Sequence, residues 1–213
     1  MIRVYLSRVR LNTENRATQM AMGSPNKFHG AVEGCFEKEE QRKRNLWRID
    51  SLHGQQYLMI VSRERPALDR IRGQFGYCDD ADEIKNYDVL LNSIEESSVW
   101  HFRLTANPTH SVKQKGTTRG KVTAHVSERY EMEWLEQKAR QNGFSVLTEG
   151  SCVAGSDWKI FRKEGRGPRI RLKGVTYEGI LRVEDANLFY NALVNGIGRG
   201  KAYGMGMITI MRI

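Results

Sequence analysis

The sequence predicts an α+β chain of two tandem ferredoxin-like (RRM-like, β-α-β-β-α-β) domains. Three observations lead there. Apolar periodicity in the first 95 residues runs strand, helix, strand, strand, helix, strand. The remainder repeats that order less cleanly. The length, 213 residues, suits two small domains. The expected division is residues 1–95 and residues 96–213.

Each element has a local reason. "IRVYLSRVRL" alternates Ile2, Val4 and Leu6 against Arg3, Tyr5 and Ser7, with Val9 and Leu11 shifted by one, as at a bulge. A loop is expected next. In "SPNKFHGAVEGCFEKEEQRK", Ser24 is a good N-cap and Pro25 a good first helical residue. Phe28, Val32, Cys35 and Phe36 then form a helical apolar stripe. "NLWRID" and "QQYLMIVS" read as strands around the turn "SLHG", "RPALDRIRGQ" as a short helix, and "NYDVLLNS" as the fourth strand. In the second half, "SSVWHFRLTANP" is a strand, and "ERYEMEWLEQKARQNG" is a helix ending at Gly143. "FSVLTEGSCVAGSDWKIFRK" and "PRIRLKGVTYEGILRVED" give two or more strands. "VEDANLFYNALVNG" is the second helix and "MGMITIMRI" the last strand.

The net charge of +9 favours a polyanionic partner, nucleic acid or an acidic membrane surface. No apolar run approaches a membrane span, and the charged N-terminus does not read as a signal peptide. Cys35, Cys78 and Cys152 are scattered and odd in number, which disfavours a disulfide framework or a zinc site and suits a reducing cytoplasm. No cofactor and no metal are expected. The acidic stretch "YCDDADEIKNYD" lacks regular ligand spacing and reads as a solvated loop. Trp47, Trp100, Trp134 and Trp158 read as core or domain-interface residues, and Met205, Met207 and Met211 as core.

The C-terminal "NALVNGIGRGKAYGMGMITIMRI" crowds Gly196, Gly198, Gly200, Gly204 and Gly206 around Arg199 and Lys201. It is not a Walker loop: Asn195 stands at the first glycine position, Ala202 replaces Ser/Thr, and a strand follows. Nor is it a dinucleotide fingerprint, because it leaves a helix for a strand. Two readings stand: a helix C-cap with a tight turn, or a backbone brought close to a large anion.

Four stretches resemble one family. "VYLSRV" opens the chain, "SPNKFHGAV" opens a helix with one histidine, and "FRLTANPT" is close to an F-R-L-x-A-N-P signature. "GIGRGKAYGMGMITI" resembles the superfamily's glycine loop. In this order and spacing the chain resembles the CasE family, the CRISPR RNA-processing endoribonucleases of type I-E Cascade complexes. The resemblance implies a precursor CRISPR RNA substrate, cut at the base of each repeat hairpin. It implies metal-independent transesterification by the RNA's own 2′-hydroxyl, and retention of the mature crRNA alongside the backbone and large Cascade subunits. The alternative is a non-catalytic RNA-binding scaffold of the same assembly.

Such cleavage needs a base for the 2′-hydroxyl, an acid for the leaving 5′-oxygen and positive charge at the phosphorane. Of five histidines, His53 falls in a turn, and His101, His110 and His125 lie in or beside strands. Only His29 lies in the first turns of a capped helix, where a phosphate is favoured. By position alone it is also a plain boundary histidine; the resemblance makes it catalytic. Family members often carry a tyrosine three residues earlier and a lysine further along; here Asn26 and Gly34 stand near those places. Lys201 is the expected cation at the phosphorane, with Lys27 beside the histidine. "KIFRKEGRGPRIRLKG" forms a basic hairpin: Lys159, Arg162, Lys163, Arg166, Arg169, Arg171 and Lys173 are expected on RNA. "KQKGTTRGK" adds Lys113, Lys115 and Arg119, and the glycine loop adds Gly198, Arg199 and Gly200.

Overall fold

A computed structural model describes residues 3–37, 44–113, 120–162 and 167–213. Of the expected RNA-binding residues, Lys115, Arg119, Lys163 and Arg166 lie outside the described residues. The first half runs β1 (Tyr5–Arg10), α1 (Arg16–Met22), α2 (Asn26–Glu33), β2 (Leu46–Leu52), β3 (Gln55–Ser62), α3 (Asp69–Phe75), β4 (Glu83–Asn86) and α4 (Asp88–Leu91). Its antiparallel sheet has the order β2-β3-β1-β4, the ferredoxin-like arrangement.

The second half runs β5 (Val99–Ala106), β6 (Thr109–Val112), β7 (Lys121–Ala124), α5 (Glu128–Gln141), β8 (Phe144–Arg162), β9 (Arg169–Val183), α6 (Ala186–Asn195), a single 3-10 turn (Lys201–Tyr203) and β10 (Ile208–Arg212). The order β10-β5-β9-β8 repeats the first sheet's connectivity, with β6 and β7 inserted as a separate small hairpin. The chain is a tandem ferredoxin-like protein. No helix among the described residues is long and apolar enough to cross a membrane.

Six expectations are corrected by packing. There is no bulge in β1, whose register against β3 is unbroken from Tyr5–Ser62 to Arg10–Tyr57. The shift in pattern is a change of face. Val9 and Leu11 join the helix-side core with Phe28, Trp47, Leu58 and Ile60, whereas Val4 joins Leu46 and Val61 in a core continuous with the second half. Both faces of this sheet are covered, so alternation alone did not fix the register.

The fourth strand is Glu83–Asn86, not "NYDVLLNS". Asp88 accepts from the Val4 N–H and begins the short helix α4, with Leu91 buried and Val89 74% exposed. The acidic stretch is not simply solvated. Asp80 pairs with Arg10, Asp82 with Arg72 and Glu83 with Arg8. Residues 16–22, expected as loop, form α1, capped by the Asn15 side chain accepting from Ala17 N–H at 2.8 Å. Helix α2 stops at Gly34, so Cys35 and Phe36 lie beyond it, although Cys35 is still buried. Ser24 does not cap it; its hydroxyl lies 2.7 Å from the Asn26 side-chain oxygen.

Two further placements differ. Trp47, Trp100 and Trp134 are buried, but Trp158 is exposed with the Arg171 guanidinium 4.5 Å over its ring. Met205 and Met207 are core; Met211 is exposed.

Candidate active site

One open groove of about 460 Å³ brings together His29 and Glu33 of α2, Arg44 and Asn45 before β2, and the loop Gly198–Tyr203. Residues from the two ends of the chain thus line one groove. His29 projects from the first turn of α2 with its side chain 35% exposed, and its Nδ1 lies 3.9 Å from Glu33 Oε1. Helix α2 ends against the 3-10 turn that carries Lys201.

The loop is held at its base. Ile197 N–H donates to Gly206 O at 2.8 Å, Gly206 N–H to Thr105 O at 2.6 Å, and Asn107 bridges to Arg199. Thr105 and Asn107 belong to "FRLTANPT", so this motif frames the loop. At the tip, Tyr203 packs on Phe161 of β8 with ring centroids 5.1 Å apart, which sets the basic hairpin beside the groove.

The glycines have a structural reason of their own. All five have positive φ, from 74° to 88°. A Cβ on Gly198 would lie 3.0 Å from Trp134, and one on Gly200 3.0 Å from Met205 Sδ. The expectation that Gly198 and Gly200 are bare so that a phosphate can approach is therefore not needed to explain them. Their side-chain space is filled by protein, and the cations Arg199 and Lys201 are what the loop presents to the groove.

Lys201 is half-buried, and its pKa is lowered from the ordinary lysine value, first by burial and then by the charge of Arg44. The cations Arg44, Arg199 and Lys201 converge on the groove with one carboxylate, Glu33, among its lining, and an anion bound there would relieve their repulsion. Arg44 is the groove residue that sequence reading missed. It sits at the end of the charge run "EKEEQRKR", and nothing in that run distinguishes it from its neighbours. Lys27 is exposed but lines a different depression, with Arg70 and Gln74.

In the basic hairpin, Arg162 pairs directly with Arg169, and Ile160 with Arg171. Arg162, Arg169 and Arg171 are exposed on one face with Trp158. Like charges directly opposite are unfavourable, and an anion on this face would relieve the Arg162–Arg169 pair. Lys159 lies on the other face, half-buried, with its pKa lowered mainly by burial. Lys173 is a correction. Its side chain is 8% exposed and ion-paired with Glu131 of α5, and Nζ also donates to Val126 O at 3.3 Å. It holds the fold rather than an external ligand. Lys113 is exposed just beyond β6.

The CRISPR-associated endoribonuclease Cse3 of Thermus thermophilus is 25% identical over 218 residues, covering 97% of this chain and 99% of its own. The Cascade subunit CasE of Escherichia coli is 25% identical over 117 residues, 52% of this chain and 56% of its own. The structure of Thermus thermophilus Cse3 bound to an RNA representing a pre-cleavage complex superposes with TM-score 0.80 at 22% identity, covering 98% and 99% of the two chains. The family model described as CRISPR associated protein matches residues 4–212, and the chain belongs to that family of CRISPR-associated proteins.

Proposed function

We propose that this protein is a cytoplasmic endoribonuclease that cuts precursor CRISPR RNA at the base of the repeat hairpin and keeps the mature crRNA within a Cascade assembly. The observation that carries the reading is the groove in which His29 faces Arg44, Arg199 and Lys201. Its support from relatives is the endoribonuclease Cse3 and the Cascade subunit CasE. In the proposed division, residues 1–95 carry the histidine, and residues 96–213 carry the loop and the basic hairpin.

The chemistry follows from the groups present. His29 takes the proton of the 2′-hydroxyl. That oxygen attacks the adjacent phosphorus, forming the 2′,3′-cyclic phosphate as the bond to the 5′-oxygen breaks. Arg44, Arg199 and Lys201 stabilise the charge on the phosphorane. Lys201 is a stronger acid than an ordinary lysine, which suits it to protonate the departing 5′-oxygen. Arg162, Arg169 and Arg171 hold the stem by backbone contacts, as expected for an A-form helix whose deep groove side chains cannot read.

The test is a repeat RNA carrying a single 2′-deoxy nucleotide just before the cut, assayed in EDTA. The unmodified RNA is cut in EDTA, and the deoxy RNA binds but stays intact. Cleavage of the deoxy RNA, or loss of all cleavage in EDTA with rescue by magnesium, contradicts the mechanism.

A further inference from the structure

We infer that Trp47 is the positioning residue that sets the spacing between His29 and the loop cations. The inference rests on the proposed site. The two walls of the groove come from different sheets: His29 rides on α2, and the loop leaves α6 for β10. Some element must gauge the distance between them.

The Trp47 indole lies between the walls, 1% exposed. On one side its ring centroid is 5.9 Å from that of Phe28, the residue before His29. On the other it lies under Gly204, where an added Cβ would come within 2.6 Å of Cζ3. The loop can approach this closely because Gly204 has no side chain and adopts φ 76°.

The next residue fixes the same strand to the second half. Arg48 Nη1 donates to Arg103 O at 2.9 Å and to Met207 O at 2.7 Å, while Asp50 neutralises the guanidinium. Strand β2 therefore stays put when the indole is trimmed. The indole N–H has no hydrogen-bond partner among the described residues, so what Trp47 supplies is volume.

A smaller side chain leaves α2 and the loop unspaced. Transfer chemistry is sensitive to such errors: misplacement by about 1 Å costs on the order of 10²-fold in rate. The arginine face that binds the stem stands on β8 and β9, whose pairing does not depend on the spacing of α2 from the loop.

The experiment measures single-turnover cleavage at saturating protein, hairpin Kd, and folding by circular dichroism at the assay temperature. The variants are Trp47→Leu, Trp47→Phe and the control Phe75→Leu. Phe75 packs on the same Phe28, at 4.9 Å, but from α3. Trp47→Leu is expected to lose about 10- to 10²-fold in rate with Kd within about threefold of the parent. Trp47→Phe recovers part of the loss, the pH profile keeps its shape, and Phe75→Leu cuts at the parent rate. If Trp47→Leu does not fold, the same rate-without-affinity loss in Trp47→Phe decides. Parent-rate cleavage by the Trp47 variants, equal losses in rate and affinity, or an equal rate loss in Phe75→Leu overturns the inference. Failure of the parent to cut, or parent-rate cleavage by His29→Ala, sinks the proposed site instead.

Discussion

Removing the carboxylate of Glu131 leaves Lys173 as a charge with no counter-ion in the interior of the second half. The two side chains are 3% and 8% exposed and ion-paired, so solvent cannot replace the missing partner. Breaking such a buried pair costs about 3–5 kcal/mol. Glu131→Ala and Lys173→Ala should each shift the urea midpoint down by a corresponding amount, with the larger loss in Glu131→Ala because the orphan left behind is the ammonium. Replacing both partners with apolar residues, Glu131→Leu with Lys173→Met, removes the desolvation penalty along with the attraction. That double variant should recover to within about 1–2 kcal/mol of the parent. Its affinity for the repeat hairpin and its salt dependence should match the parent, because Lys173 points into the fold. A drop of about one unit in the log–log salt slope for a folded double variant would show Lys173 on phosphate and refute the reasoning.

Other consequences are equally open to measurement. Arg169→Ala with Arg171→Ala should weaken hairpin binding and lower the salt slope by about one unit per lost phosphate contact; an unchanged slope would mean this face does not meet RNA. Gly200→Val should lower thermal stability as well as cleavage, because φ is 88° and Met205 Sδ occupies the added Cβ's space; normal stability would contradict the packing account. His125 has its pKa lowered by burial and then by the neighbouring His110, whose ring centroid is 4.5 Å away. The folded state therefore binds that proton less readily than the unfolded chain. Stability should be fully present above the ordinary histidine value, about 6.5, and fall as the pH drops below it. His125→Gln should flatten that fall in urea midpoints between pH 7.5 and 5.5, and an unaltered slope would assign it elsewhere.

Periodicity made the long elements legible. Helix α5 and helix α6 have apolar stripes with polar backs, and the second half's strands carry β-branched residues between clear turns. Where the chain is covered on both sides, the code weakens. Val4, just before β1, and Val9, within it, are both buried in different cores, and the sequence records only that each is apolar. The triplet Val89-Leu90-Leu91 is too short to tell a strand from a turn of helix, and the decision fell to the Asp88 carboxylate on the Val4 N–H. At the candidate site, position alone leaves His29 a boundary histidine; the resemblance to the CasE family singles it out, and it lines one groove with Lys201. Arg44 was not legible, because its role depends on where a charged run passes in space. Lys173 misled for the same reason: seven cations in one hairpin look alike until Glu131 is seen to claim one of them.

The central claim is that His29 moves the proton while the loop and hairpin hold the RNA. Single-turnover cleavage of the repeat RNA by His29→Ala, with hairpin affinity measured alongside, tests it most directly. The account predicts a rate lower by about 10²–10⁴-fold and an affinity close to the parent's. Cleavage at the parent rate by a folded His29→Ala would contradict it and assign the chemistry to another residue.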